Sequence, residues 1–323
     1  MHSRVYEMEL GGNLLASVSR SFYLSIKVLP APVRRVIALG YLLARATDTI
    51  ADTVQAPVEA RLENLDAFRR TLTEGRRGGL PHLINPSHPG ERLLLKRLPE
   101  CLAWLEVLEK KDQADIRNVL EDIIHGQELD LRRFSNPDQI GVLQSSQELD
   151  EYTYLVAGCV GKFWTRVSMR HLKNYSELDE ATLCRLGVNF GKGLQLINIL
   201  RDLPADLHAG RCYLPLEELR QAGITPEELV NHPEPARPVV DRWQNQAEEW
   251  LDDARKYIEA IRPTRMRYAC ILPWKIGIKT LSRLQKTPAL ESPTRVKISR
   301  PEVRKVMLKA VVEAAVPAAF PMG

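Results

Sequence analysis

The chain has 323 residues, 44% of them hydrophobic, with 45 basic against 41 acidic side chains for a formal charge of +4. That length and apolar content suffice for one large core, and the absence of a composition shift predicts a single domain over 1–323. The near balance of charge leaves too slight an excess to imply a nucleic-acid partner, and five scattered cysteines without a CxxC pair fit a protein with no zinc or disulfide framework. A reducing, cytoplasmic setting follows.

Apolar residues recur at three- and four-residue spacing over 33–52, 58–73, 91–109, 113–131, 147–171, 180–206, 238–261, 265–284 and 301–315, which predicts an all-α fold. Stretches rich in Pro, Gly or Asn separate them: GRRGGLPHLINPSHPG, NHPEPARP, and Thr287 to Pro293. No run of 18 apolar residues and no charged-then-apolar leader occurs. The chain ends in MLKAVVEAAVPAAFPMG, with Lys309, Glu313 and two prolines, so its tail from about 310 to 323 packs on the body or, as the alternative, makes a peripheral membrane contact. Trp104, Trp243 and Trp250 read as core residues and Trp164 as the lining of an apolar pocket. The seven histidines form no HxxxH pattern.

Two acidic pairs stand out. Asp48 with Asp52 in RATDTIADT, and Asp202 with Asp206 in NILRDLPADL, are each spaced i,i+4, which stacks two like charges on one helix face. Tyr41, Arg45, Asp48 and Asp52 form one polar stripe; Gln195, Asn198, Asp202 and Asp206 form a second in nearly the same register. Both stripes run along helices that are otherwise apolar, where unpaired carboxylates are costly. Hard cations resolve the conflict: Mg²⁺ takes oxygen ligands and is commonly held by one or two carboxylates plus a substrate phosphate. Two such helices across a cavity could hold Mg²⁺ on a diphosphate, with Arg45 and Arg201 beside them to neutralise the leaving group.

Four segments in order carry a family resemblance: SRSFYLSI from Ser19, YLLARATDTIAD from Tyr41, DEYTYLVAGCVG from Asp150, and GLQLINILRDLPADLHAGRCYLP from Gly193. On these residues the chain is identified as a member of the squalene and phytoene synthase family of head-to-head prenyl transferases, over about 15 to 310. The stretches Tyr152 to Gly161, Cys270 to Pro273, and VKISR from Val296 resemble squalene synthases more than phytoene synthases.

The resemblance implies an isoprenoid-synthase-type helical bundle around a central cavity. It implies that Asp48, Asp52, Asp202 and Asp206 hold Mg²⁺ on two farnesyl diphosphates. Tyr152 matches the tyrosine that assists the first half-reaction, formation of presqualene diphosphate, and Tyr41 is a second phenol within reach. Ser19, Arg20, Ser21, Phe22 and Lys27, with Gln195 and Asn198, match positions around the substrate. Lys297 and Arg300 match a basic segment implicated in NADPH binding, and reduction would give squalene. No GxGxxG follows a strand, and Gly187, Gly191 and Gly193 have the wrong spacing for one.

Three departures qualify the likeness. A third acid common in each motif of squalene synthases is Ala51 or Ala205 here, which keeps a non-reductive relative open (dehydrosqualene, hydroxysqualene, presqualene diphosphate or phytoene synthase). Pro204 interrupts the second motif and should displace Asp206, so Asp202→Asn is expected to be at least as damaging as Asp206→Asn. A metal-dependent phosphohydrolase is disfavoured by the missing histidine ligands, and a catalytically inert helical assembly factor by the intact acids and arginines.

Overall fold

The computed structural model describes residues 6–19, 22–74, 79–136, 139–287, 290 and 295–315. They are helical nearly throughout and divide into two compact units: Met1–Arg132 with Arg166–Lys173, and Arg133–Thr165 with Asn174–Gly323.

The first unit is organised by one helix. After a π-helical turn, Glu9–Leu14, come α1 (Leu15–Ser19), α2 (Phe22–Val28), α3 (Ala31–Asp52), α4 (Val58–Glu74), α5 (Pro89–Lys96), α6 (Leu98–Glu106) and α7 (Lys110–Arg133). Pro32 in the first turn of α3 loses no hydrogen bond, because the N–H it lacks would have no partner there. Val33, Val36, Ile37, Leu39, Leu42, Leu43 and Ile50 are then buried, and α2, α4, α5 and α6 pack on this helix. Its C-terminal end is closed by Arg61, which donates to the Ala51 carbonyl at 2.8 Å. The expected helix over 91–109 is two helices, because Pro99 cannot continue a helix from α5 and the chain turns at Arg97. Asp112 has no exposed surface, and it is satisfied by Arg170 at 2.6 Å and His171 at 2.9 Å.

The second unit is built on a longer helix. Its elements are β1 (Gly141–Val142), α8 (Ser146–Thr153), a π-helical turn (Tyr154–Gly158), α9 (Cys159–His171), α10 (Glu180–His208), β2 (Arg211–Cys212), α11 (Leu216–Gln221), α12 (Arg237–Ala260), α13 (Thr264–Lys286) and α14 (Arg300–Ala315). Asp179 caps α10 by accepting from the Thr182 amide at 2.9 Å. The helix runs past Pro204 to His208 and stops where Gly210 adopts φ +76°. That turn feeds β2, whose two-residue parallel pairing with β1 was not legible from the periodicity.

The glycines that failed as a dinucleotide motif have a packing role. A Cβ on Gly161 would lie 1.9 Å from the Gly187 carbonyl oxygen, and one on Gly191 would lie 2.2 Å from that of Ala157. Helix α10 therefore meets α9 and the π-helical turn backbone to backbone. Gly161→Ala is expected to destabilise the protein by about 3 kcal/mol or more, since rigid backbone must move; a thermal melt within 2 °C of the parent's would contradict this.

Helix α14 packs on α13 through Val306, Ala310 and Ala314. Arg267 donates to the Ala314 carbonyl at 3.0 and 2.6 Å, and Lys275 pairs with Glu313 at 2.8 Å. The tail thus lies on the body as far as Ala315; its remainder, 316–323, is outside the described residues. Among the described residues no helix is long and apolar enough to cross a membrane. Trp104, Trp164, Trp243 and Trp250 are all buried. Burial pushes the Cys270 thiol pKa up to about 12.

Candidate active site

The first acidic pair occupies the last turns of α3. Arg45 donates to Glu91 on α5 at 2.5 Å and lies 3.7 Å from Asp48, so its charge is shared before any ligand arrives. Asp48 also accepts from Gln127 on α7 at 2.6 Å. Even so, burial and the neighbouring Asp52 push its carboxyl up to about 6, against the pull of Arg45 and Gln127. Asp52 is exposed. Tyr41, further back along the stripe, stacks on Phe22 at 5.4 Å between ring centroids and donates to the Val18 carbonyl at 3.4 Å. The four stripe residues and Phe22 therefore share one side of the first unit.

The second pair sits near the end of α10 with a different charge balance. Burial raises the Asp202 carboxyl pKa, but hydrogen bonds from Arg201 and Arg295 outweigh it and hold the group below its ordinary value. Asp206 is pushed the other way, to about 6, by burial and by Asp202, with Arg211, Arg295 and Arg201 only partly offsetting. Asn198 donates to Gln195 at 3.4 Å, one turn back on the same face.

Tyr152 on α8 stacks on Tyr213 with ring centroids 4.9 Å apart, and its hydroxyl donates to the Tyr213 hydroxyl at 3.5 Å. Phe134 meets Tyr213 edge-on at 5.1 Å, and the Arg211 guanidinium lies 5.9 Å from the Phe134 ring. The β1–β2 pairing fixes this cluster, because it places Arg211 and Tyr213 just beyond the turn that follows Asp206.

Other expected residues have distinct surroundings. Ser19 is buried, and its hydroxyl donates to the Leu15 carbonyl of its own helix at 2.5 Å. Arg20 and Ser21 lie outside the described residues. Lys27 is exposed, 5.8 Å from the Tyr23 ring centroid, in a cleft shared with Arg34 and Arg35. Arg34 precedes Asp48 by fourteen residues, about 21 Å along α3, so this cleft opens toward the other end of that helix. Lys297 and Arg300 are exposed, and Lys297 accepts from Arg283 through its backbone carbonyl.

Glu91, Gln127, Arg295, Arg211 and Tyr213 were not singled out from the sequence. Tyr213 and Arg211 lie in the GRCYLP stretch directly after the second acidic motif, and Arg295 directly precedes VKISR. Nothing in the pattern marks Gln127 or Glu91.

The donor set suits a hard divalent cation. Asp48 and Asp206 are carboxylates whose local positive charge is insufficient to keep them at an ordinary pKa, which a cation would correct. Among the described residues no three His, Cys, Asp or Glu side chains cluster as a complete metal site. A metal at either pair would take the rest of its shell from water and a ligand phosphate, as Mg²⁺ commonly does.

Residues 15–302 match the squalene/phytoene synthase family. The chain is 31% identical over 261 residues to a 15-cis-phytoene synthase of Synechocystis sp., covering 78% of this chain and 66% of that one. It is 28% identical over 285 residues to a bifunctional lycopene cyclase/phytoene synthase of Phaeosphaeria nodorum, covering 83% of this chain and 44% of the other. The chain thus spans less than half the length of that bifunctional relative. A squalene synthase of Schizosaccharomyces pombe is 25% identical over 306 residues, covering 92% and 64%. In fold, a TcSQS structure in complex with the ligand E5700 superposes with a TM-score of 0.78 at 22% identity, covering 97% of this chain and 88% of that one. A dehydrosqualene synthase structure follows at 0.67 and 20%, covering 97% and 96%.

Proposed function

Because the chain belongs to the squalene/phytoene synthase family, whose chemistry is head-to-head isoprenoid condensation, we propose that it joins two farnesyl diphosphates through presqualene diphosphate and reduces the product to squalene. The observation that carries the coupling step is the two acidic pairs on helix faces, one with Arg45 3.7 Å from Asp48 and the other with Arg201 hydrogen-bonded to Asp202. Each is an i,i+4 pair with an arginine beside it, and that arrangement favours a metal-bound diphosphate over an empty face.

In this reading Asp48 and Asp52 on one helix, and Asp202 and Asp206 on the other, each hold Mg²⁺. Bound there, Mg²⁺ supplies Lewis-acid stabilisation to the departing diphosphate. Beside each pair an arginine, Arg45 or Arg201, would add charge-assisted hydrogen bonds to the phosphate oxygens held there. Arg45 is kept in place by Glu91, so it need not be ordered when the substrate arrives. The allylic cation left behind requires shelter from water, and the aromatic faces of Tyr41 with Phe22, and of Tyr152 with Tyr213, offer cation–π stabilisation of about 1–2 kcal/mol each when desolvated. The Tyr152 hydroxyl oxygen is the group to which we assign movement of the proton lost on closing the cyclopropane. The reductive step rests on the similarity of the Val296 to Arg300 segment alone.

A second reading, coupling of geranylgeranyl diphosphate to phytoene without reduction, is favoured by the similarity to phytoene synthases. One experiment separates them: purified protein with Mg²⁺ and either farnesyl or geranylgeranyl diphosphate, with and without NADPH, followed by mass spectrometry of extracted lipids. Squalene formed only with NADPH supports the first reading. A 30-carbon product indifferent to NADPH removes the reductive step, and a 40-carbon hydrocarbon supports the second; no coupled product from either substrate sinks both.

A further inference from the structure

The Asp202 carboxylate is gripped from two sides. Arg201 donates to Oδ1 and Oδ2 at 2.9 and 2.6 Å, and Arg295 donates to the same two oxygens at 2.7 Å each. A carboxylate offers about four lone-pair positions, and these four bonds take them all. No metal can bind Asp202 until at least one donor leaves.

The two donors differ in how easily they leave. Arg201 is adjacent to Asp202 on α10 and its side chain is 24% exposed, whereas Arg295 is 60% exposed and sits on the non-helical stretch 295–299 ahead of α14. That stretch is moored further along, at Lys297, Ser299 and Glu302, by Arg283 and by the Ser299–Glu302 hydrogen bonds. The fork of Arg295 can therefore leave Asp202 while α14 stays docked. At the other pair, Asp48 accepts from Gln127 and makes a longer contact to Arg45.

We propose that Arg295 is a positioning residue for metal loading: it caps Asp202 in the metal-free protein and must release it before a divalent cation binds. Loading at the second acidic pair is thereby coupled to release of the Arg295 side chain. The inference rests on the metal-binding reading above and adds a competitor that the reading does not contain.

The test uses Mn²⁺ alone as the probe, with the full chain and no diphosphate, and follows free Mn²⁺ by electron paramagnetic resonance. Arg295→Gln is expected to tighten Mn²⁺ binding by about three- to tenfold, the cost of breaking an exposed bidentate ion pair. Arg295→Lys, which keeps the charge but loses the fork, should fall between Arg295→Gln and the parent. Lys305→Gln, an exposed charge removed on α14, should change affinity by less than about twofold and so controls for net charge. Unchanged or weaker Mn²⁺ binding in Arg295→Gln, or an equal gain in Lys305→Gln, overturns the capping role while leaving the metal site standing. Mn²⁺ binding that survives undiminished in Asp48→Asn/Asp206→Asn, or that is absent from the parent, overturns the metal-binding reading itself and the capping role with it.

Discussion

Asp202→Asn and Asp206→Asn are expected to lower prenyl coupling on the order of 10³-fold each, the loss of several kcal/mol of metal-mediated stabilisation. Asp202→Asn should be at least as damaging of the two. Their effects on stability should point in opposite directions. Asp202 is held below the ordinary carboxylate value, burial being outweighed by Arg201 and Arg295. A depressed carboxylate contributes stability that is present above its unfolded pKa and lost as pH falls through the folded one. Asn removes that contribution and leaves two guanidiniums facing an amide, so the metal-free variant should melt lower than the parent at neutral pH.

Asp206 is raised to about 6 by burial and by Asp202. A raised carboxylate penalises the fold above about 6, and the penalty fades as pH falls toward the unfolded value. Asp206→Asn removes the penalty, about 1 kcal/mol after allowance for solvent screening, and should raise the melting temperature of the metal-free protein at pH 8 by about 2 °C. The gain should shrink toward pH 4 and disappear against a parent saturated with Mg²⁺, which would be stabilised by ligand linkage. Differential scanning fluorimetry across pH, with EDTA or with Mg²⁺, reads all of this. Equal destabilisation by both substitutions would sink the claim that Asp206 carries unneutralised charge.

Tyr152→Phe is expected to reduce formation of the cyclopropyl diphosphate by about 10²-fold or more, the usual range for loss of a positioned acid–base group. Fold should be unchanged, because the ring still stacks on Tyr213. Tyr213→Phe should cost much less, about tenfold at most, since it removes the acceptor of a 3.5 Å hydrogen bond and leaves the Tyr152 hydroxyl in place. Single-turnover assays on farnesyl diphosphate measure both. Comparable losses in the two variants would assign the proton to the pair rather than to Tyr152; no loss in Tyr152→Phe would remove the phenol from the chemistry.

Helix positions were legible because burial imposes its period on the sequence. The stretches 58–73, 113–131, 238–261 and 265–284 fall inside or within about one residue of Val58–Glu74, Lys110–Arg133, Arg237–Ala260 and Thr264–Lys286. The errors fall where local chemistry overrides periodicity. Pro99 splits 91–109, and a π-helical turn at Tyr154–Gly158 interrupts 147–171 where glycines let backbones touch. The short β1–β2 pairing has no period to detect.

By itself the sequence determined that the chain is helical, that two carboxylate pairs lie on helix faces with an arginine beside each, and which family motifs surround them. These depend on spacing along one chain, and spacing is preserved when a helix forms. Tertiary structure alone decided how each carboxylate is charged. Asp202 and Asp206 share a motif and a helix, yet Arg295, 93 residues further along the chain, pulls one carboxyl down while the other stays high. Gln127, 79 residues from Asp48, and Tyr213, 61 residues from Tyr152, reach their partners the same way. Electrostatic energy depends on distance in space and on burial, which helical periodicity does not encode.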